Sequence, residues 1–348
     1  MNYHESYVED LRRIRAAVPD WRRLCGRCVL ITGATGLIGS AVVDFLAQCN
    51  IDEGAEIRIL TGGRSRDRVL ARFAGREETG KISFFYYDAL NPSGPEDYPD
   101  PLPAFIVHAA GNANPGLYGT VPAQTMMTTI LGTRTLLDMA AAAEGSRFLF
   151  VSSSEVYGRK ESKDPFREDI FGTVNILDPR SCYPVSRRAA ETLCASMRAE
   201  AGVDFVIARP GHVYGPTMTE ADNRASSQFP RDVAAGRDIV LKSSGSQLRS
   251  YCYVLDCVSA LLMILLCGES GTAYNISNRE SVVTIRQMAE AFADASGRKV
   301  LFDLPTDAER AVFNPMDNSS LDASRLEALG WKGLFDLKTG AARTLACL

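Results

Sequence analysis

A tyrosine and an arginine begin one of the helices that the sequence predicts. Tyr183 and Arg187 are four residues apart, about one helical turn, so both side chains lie on the same face of the helix. A tyrosine with its ordinary pKa of about 10 is a poor base at neutral pH. A neighbouring fixed positive charge favours the phenolate. The pair is therefore predicted to exchange a proton with a hydroxyl group of a substrate.

Three glycines at intervals of three residues follow an apolar segment. They lie between a predicted strand, 28–32, and a helix that starts at residue 37. In a first strand-to-helix turn, such glycines permit the tight turn, let the backbone approach a pyrophosphate, and let the helix pack closely on the strand. The helix N-terminus also favours phosphate groups. The pattern predicts a dinucleotide site with contacts from Gly33, Thr35, Gly36, Leu37, Ile38 and Gly39.

The second predicted strand, 56–61, ends without the acid that often holds a ribose 2′-hydroxyl. Two glycines follow it, and then Arg64 and Arg66. An arginine at this position can accept a 2′-phosphate. NAD is therefore only slightly favoured over NADP. Asp88 and Ala89, which follow the third predicted strand, are expected to contact the cofactor, Asp88 at the adenine.

Short apolar segments alternate with helical patterns from residue 27 onward. Continuous apolarity is typical of strands covered on both faces, and the alternation predicts a doubly wound parallel α/β sheet. The predicted strands are 28–32, 56–61, 81–87, 104–110, 147–153 and 204–210. The predicted helices are 37–48, 65–73, 121–143, 183–201, 223–236, 254–267, 284–296 and 321–328.

The change of pattern in the last third predicts a second, smaller unit. We expect a helical N-terminal extension over 1–25 and a dinucleotide-binding domain over 26–208 and 250–275. The smaller α/β substrate-binding domain is expected over 209–249 and 276–348.

Several motifs in this order resemble the extended short-chain dehydrogenase/reductase superfamily, the NAD-dependent nucleotide-sugar epimerases and dehydratases. The motifs are the glycine loop, the segments 152–158, 209–216 and 245–256, and Tyr183. The resemblance implies a Rossmann-type fold, an NAD(P) cofactor and a 4-keto sugar intermediate. It implies Tyr183 as the base, Ser153 as a hydroxyl that holds the same oxygen, and further cofactor contacts from His108, Ala109, Ala110, Tyr183, Arg187 and Pro210. The family pattern has lysine where this chain has Arg187, which keeps the charge but changes its shape.

The residues after Ser153 favour some of the family's reactions over others. The family's 4,6-dehydratases carry Asp-Glu where this chain has Ser154-Glu155, so dehydration is not favoured. Ser153-Ser154-Glu155 and the segment 180–183 are similar to UDP-glucuronate decarboxylases, in which Glu155 would act at sugar C5 or orient the sugar carboxylate. A 4-epimerase and a net reductase of a keto sugar remain alternatives.

The same resemblance predicts where the substrate binds. Arg249 matches an arginine that binds the nucleotide phosphates, and His212 stands where the family usually has asparagine. Ser154 is the third expected substrate contact. A UDP-sugar is the favoured substrate. The helices at 121–143 and 183–201 carry alanine-rich faces, and because the equivalent helices form the dimer interface in the family, the resemblance implies a homodimer.

Composition excludes several classes of function. Lys and Arg total 38 against 42 Asp and Glu, a net charge of −4, which argues against a nucleic-acid-binding protein. The apolar run at 258–267 is about half the length needed to cross a membrane. With three histidines in the chain, no metal site is expected. The protein is predicted to be cytoplasmic.

Overall fold

The computed structural model describes residues 3–92, 94–303 and 317–348. Its centre is a parallel sheet of seven strands in the order β10-β6-β5-β4-β1-β2-β3. The strands of this sheet and of the smaller sheets are β1 (Cys28–Thr32), β2 (Arg58–Gly63), β3 (Ile82–Tyr86), β4 (Phe105–His108), β5 (Arg147–Val151), β6 (Asp204–Pro210), β7 (His212–Tyr214), β8 (Ile239–Leu241), β9 (Leu248–Tyr253), β10 (Thr272–Ile276), β11 (Val282–Thr284), β12 (Val300–Phe302) and β13 (Asn318–Ser319).

Helices cover both faces of the central sheet, which confirms the predicted doubly wound α/β class. They are α1 (Glu5–Ala17), α2 (Leu37–Glu53), α3 (Arg66–Arg72), α4 (Pro115–Thr120), α5 (Pro122–Ala142), α6 (Cys182–Ala201), α7 (Ala225–Ala234), α8 (Val254–Cys267), α9 (Ile285–Ser296), α10 (Ser324–Glu327) and α11 (Leu337–Ala346). Helices α1, α2 and α8 pack together, and α5 packs against α6.

The two faces of β1 explain why its sequence is apolar without a break. Val29 and Ile31 belong to one apolar core, and Leu30 belongs to another on the opposite face. Alternate residues of a strand point to opposite faces, so burial on both sides requires apolar residues throughout. All six predicted strands are present, and β10 joins them beside β6 as a seventh that was not among the predicted ones.

Smaller sheets lie in the last third of the chain. Strand β9 pairs with β7, β11 and β13, and β8 pairs with β12. Helices α7, α9 and α11 pack against one another beside them. Within the described ranges, no helix is both long and apolar enough to cross a membrane.

The N-terminal helix is fixed to the rest of the molecule by a buried carboxylate. Asp44 of α2 accepts hydrogen bonds from the Tyr3 hydroxyl at 2.6 Å and from the Tyr7 hydroxyl at 3.0 Å. The Arg72 guanidinium, at the end of α3, pairs with the same carboxylate. This network anchors the N-terminal segment against α2 and the end of α3.

Candidate active site

The glycine loop at the end of β1 is packed too tightly for larger residues at two positions. Gly33 has φ +70°, and a Cβ atom there would lie 2.7 Å from the Ala109 carbonyl oxygen. A Cβ at Gly39 would overlap the Gly33 carbonyl oxygen. Gly36, the residue before α2, has more room, since a Cβ there would meet the Gly33 oxygen at 3.3 Å. The loop therefore forms a backbone cradle at the start of α2, which fits a dinucleotide pyrophosphate.

A cavity of about 300 Å³ opens beside this cradle, at the carboxyl ends of the central strands. Ligands of open parallel sheets bind at this edge. The predicted cofactor residues that line the cavity are Gly33, Thr35, Arg64, Asp88, Ala89 and Ala110. Gln124 and Thr128 of α5 also line it, and neither was predicted from the sequence.

The other predicted cofactor residues lie outside that lining. Gly36 caps α2, and Leu37, Ile38 and Gly39 form its first turn, where the Leu37 carbonyl accepts a hydrogen bond from the Thr217 hydroxyl at 2.7 Å. His108 ends β4 and Ala109 follows it. Pro210, the last residue of β6, is paired with β10.

Asp88 is held by local hydrogen bonds at the cavity wall. Its carboxylate accepts bonds from the Asn91 side chain at 2.9 Å and from the Leu90 amide at 3.1 Å. These two bonds, with a smaller contribution from nearby Arg64, lower the pKa of Asp88. The side chain is therefore a fixed anion that can accept a hydrogen bond, for example from an adenine amino group.

Tyr183 lies at the start of α6 and is buried against a second tyrosine. Its ring stacks on that of Tyr118, with centroids 4.9 Å apart and 14° between the ring planes. Tyr118 belongs to α4, a short helix that was not predicted. Stacking of this kind fixes the orientation of both rings, so Tyr118 sets the direction in which the Tyr183 phenol points.

Ser153 and Glu155 follow β5, and Glu155 lies close to this stack. Glu155 forms a bidentate ion pair with Arg180, with N–O distances of 2.9 and 3.2 Å. The Arg180 guanidinium lies over the Tyr118 ring, 4.8 Å from its centroid. The Ser153 hydroxyl accepts a bond from the Glu155 amide at 3.2 Å, which leaves its own proton free to be donated. Ser154 begins the short 3₁₀ turn that carries Glu155.

Arg187 is a buried residue one turn after Tyr183. Its Nη1 donates to the Val151 carbonyl at 3.1 Å, and its guanidinium carbon lies 5.1 Å from the centre of the Tyr183 ring. Gly111 adjoins the guanidinium, because a Cβ there would overlap Nη2. The structure therefore places a fixed cation beside Tyr183, as the sequence predicted. One donor of this cation is used in a hydrogen bond to the backbone of β5.

His108, the last residue of β4, is close enough to Arg187 to feel its charge, and it is neutral. Burial, and to a smaller extent the Arg187 charge, lowers its pKa to about 3. Its Nδ1 is 2.7 Å from the Thr32 hydroxyl, which links the ends of β4 and β1. A neutral imidazole avoids a second positive charge next to Arg187.

His212 and Arg249 lie together on the neighbouring strands β7 and β9. Burial, followed by the charges of Arg249 and Arg224, lowers the pKa of His212 to about 3. Its Nδ1 is buried without a hydrogen-bond partner among the described residues. Arg224, which the sequence did not single out, also interacts electrostatically with Tyr183. Arg249 therefore places a positive charge beside His212, whereas Arg224 is paired with the Asp222 carboxylate.

Comparison with known proteins identifies the class. The model of the NAD dependent epimerase/dehydratase family matches residues 29–277, and the chain belongs to that family. UDP-glucuronic acid decarboxylase 6 of Arabidopsis thaliana is 31% identical over 316 residues, which cover 90% of this chain and 86% of that protein. UDP-glucuronic acid decarboxylase 1 of Xenopus tropicalis is 29% identical over 321 residues, 91% of this chain and 71% of that protein.

Solved structures agree with this assignment of the fold. A dTDP-glucose 4,6-dehydratase from Bacillus anthracis in complex with NAD aligns with a TM-score of 0.76 at 19% identity, covering 92% of this chain and 96% of that one. A UDP-glucose 4-epimerase from Thermotoga maritima with UDP-glucose has a TM-score of 0.73 at 21% identity, covering 92% and 98%. The family model confirms the resemblance to this family of NAD-dependent enzymes, and the solved structures confirm the Rossmann-type fold. The chain is an NAD(P)-dependent nucleotide-sugar enzyme.

Proposed function

We propose that the protein decarboxylates a nucleoside-diphosphate hexuronate, with UDP-glucuronate as the substrate. The observation that carries this proposal is the Glu155–Arg180 ion pair beside the Tyr118–Tyr183 stack. It provides a carboxylate and an exposed guanidinium next to the tyrosine that would handle the C4 hydroxyl. The similarity to UDP-glucuronic acid decarboxylases over most of the chain supports the same reaction.

The chemistry follows from the position of the carboxylate in such a sugar. A bound dinucleotide would supply the hydride acceptor and donor at C4. Oxidation of the C4 hydroxyl makes the C5 substituent the carboxylate of a β-keto acid. The bond between C5 and that carboxylate then breaks, CO2 leaves, and C5 takes up a proton. Reduction of the C4 ketone completes a reaction with no net change in oxidation state of the cofactor.

The side chains have distinct roles in this proposal. Tyr183 takes the proton from the C4 hydroxyl and later returns it, while the Ser153 hydroxyl donates to the same oxygen. Arg187 provides the neighbouring positive charge. Arg180 has N–H groups beyond those that bind Glu155, and its side chain is 44% exposed, so it can attract the sugar carboxylate.

The rest of the substrate would extend towards the smaller sheets. Arg249 is expected to bind the diphosphate, with His212 and Ser154 nearby, and the regions 209–249 and 276–348 would enclose the nucleotide. We also propose that α5 and α6 form the contact between two copies in a homodimer. The cytoplasmic location stays a prediction from the sequence.

The direct test is mass spectrometry of UDP-glucuronate after incubation with the protein and oxidised dinucleotide. We expect a product lighter by one CO2. A product of unchanged mass with inverted C4 would instead support a 4-epimerase. Oxidation of reduced dinucleotide with a keto-sugar nucleotide would support a reductase.

A matched pair of variants tests the role of the ion pair. In this proposal Glu155 acts as an acid–base group at sugar C5. Glu155→Gln removes its charge, and we expect the decarboxylation rate to fall by about 100-fold or more. Glu161→Gln makes the same change at an exposed glutamate nearby and should leave the rate unchanged. Equal rates for the two variants would contradict the assignment of Glu155.

A further inference from the structure

We propose that the dinucleotide site prefers the 2′-phosphorylated cofactor, NADP(H), over NAD(H), and that Arg64 and Arg68 bind the 2′-phosphate. The inference concerns the cofactor cavity alone. It does not depend on whether the protein decarboxylates a sugar.

The first observation is the absence of an acid at the end of β2. NAD-binding sites of this fold commonly place a carboxylate there to accept a bond from the ribose 2′-hydroxyl. This chain has Gly62 and Gly63 instead, and both line the cavity. A Cβ at Gly62 would lie 3.0 Å from the Thr32 side chain, whereas a Cβ at Gly63 would meet no atom within 4 Å. Gly62 is therefore closely packed, and Gly63 leaves open space where a carboxylate would otherwise lie.

The second observation is the positive charge that faces this space. The cavity is lined by Arg64 and Arg68, and neither side chain has a hydrogen-bond or ion-pair partner among the residues in the described ranges. Arg72, one turn further along α3, is by contrast paired with Asp44. A guanidinium presents a planar set of donors that matches phosphate oxygens.

The remaining groups at the cavity are compatible with a phosphate. Asp88 is the acidic residue in the cavity lining, and its carboxylate already accepts hydrogen bonds from the Asn91 side chain and the Leu90 amide. The Ser65 hydroxyl accepts a bond from the Arg68 amide at 3.3 Å and keeps its proton for donation. Two arginines against one acid leave a net positive charge, which a 2′-phosphate would neutralise.

Isothermal titration of the full chain with NADP⁺ and with NAD⁺ tests the proposal without measuring turnover. We expect NADP⁺ to bind at least about tenfold more tightly, because each charge-assisted contact contributes roughly a factor of ten. Arg64→Ala and Arg68→Ala should each weaken NADP⁺ binding by about that factor and leave NAD⁺ binding unchanged. Arg66→Ala, an exposed arginine outside the cavity lining, is the matched control and should change neither affinity.

A gain-of-function variant provides an independent check. Gly63→Asp has space for its side chain and restores a carboxylate at the end of β2, so the preference should shift towards NAD⁺. NAD⁺ binding as tightly as NADP⁺ to the unaltered chain would overturn the proposal, as would equal losses for both dinucleotides in Arg64→Ala. If NADP⁺ is preferred but UDP-glucuronate loses no CO2, only the proposed function is refuted. If UDP-glucuronate loses CO2 but NADP⁺ is not preferred, only this inference is refuted.

Discussion

Replacement of Gly33 by alanine tests whether the cradle depends on close approach of the backbone or only on an unusual φ angle. Gly33 and Gly54 have similar left-handed conformations, with φ +70° and +59°. An added Cβ at Gly54 meets nothing within 4 Å, but at Gly33 it would lie 2.7 Å from the Ala109 oxygen and 2.8 Å from the Ala110 nitrogen. Both substitutions carry the cost of a left-handed alanine, about 1–2 kcal/mol. The Gly33 variant adds an overlap with backbone that cannot rotate away, which costs about 1–3 kcal/mol more.

We therefore expect Gly33→Ala to lower the free energy of unfolding by about 2–5 kcal/mol and Gly54→Ala by about 1–2 kcal/mol. Urea unfolding followed by circular dichroism, without added dinucleotide, gives both values from the midpoints when the slopes agree. If the two variants were equally stable, the close contact between the loop and the end of β4 would not be real, and the reasoning on the cradle would fail.

Two further predictions concern a binding position and a buried acid. Gly36→Ala should change stability by less than about 1 kcal/mol, since its Cβ would lie 3.3 Å from the Gly33 oxygen and requires a shift of only a few tenths of an ångström. The same change should weaken dinucleotide binding in a titration, and unchanged affinity would refute close approach of the pyrophosphate at this residue. Burial raises the pKa of Asp256 to about 7, although the amides of Leu334 and Phe335 bond to it. The folded chain then holds a proton that the unfolded chain releases near pH 4, so this contribution to stability is full below about pH 4 and is lost as the pH rises through 7. Asp256→Asn should remove that slope in unfolding measured from pH 4 to 8, and curves parallel to those of the unaltered chain would contradict the assignment.

The inner strands of the central sheet were predictable because they are buried and therefore apolar, whereas β3, which was predicted from the same pattern, is a partly exposed edge strand. Strands covered on both faces are apolar throughout, and helix α8 was predicted with its observed bounds, 254–267. The edge strand β10 was missed because it contains Asn275, a polar residue that is fully buried. Its side chain accepts a bond from the Tyr157 hydroxyl at 2.6 Å and donates to the Phe166 carbonyl at 2.9 Å. Partners more than 100 residues away in the chain make this polar residue acceptable in a strand, and no local pattern could show them.

The candidate site likewise combines residues in local sequence patterns with residues that only the fold brings together. The glycine loop and the spacing of Tyr183 and Arg187 are local patterns, so the sequence could point to them. Tyr118 is 65 residues before Tyr183 and belongs to α4, a six-residue helix with two glycines that lacks a helical pattern. Arg180 was noted only as part of a motif, and its pairing with Glu155 depends on how the turn after β5 meets the start of α6.

The arginine at position 187 is accommodated by its surroundings, and this bears on whether it can replace a lysine. Its guanidinium fits because residue 111 is glycine, since any Cβ there would overlap Nη2. The bond to the Val151 carbonyl fixes the charge 5.1 Å from the centre of the Tyr183 ring. His108 is kept neutral by burial and by this same charge, which lowers its pKa to about 3, so no second cation competes with it. A glycine, a carbonyl and a neutral histidine thus adapt the site to the larger cation, which supports an active role for Arg187 beside Tyr183.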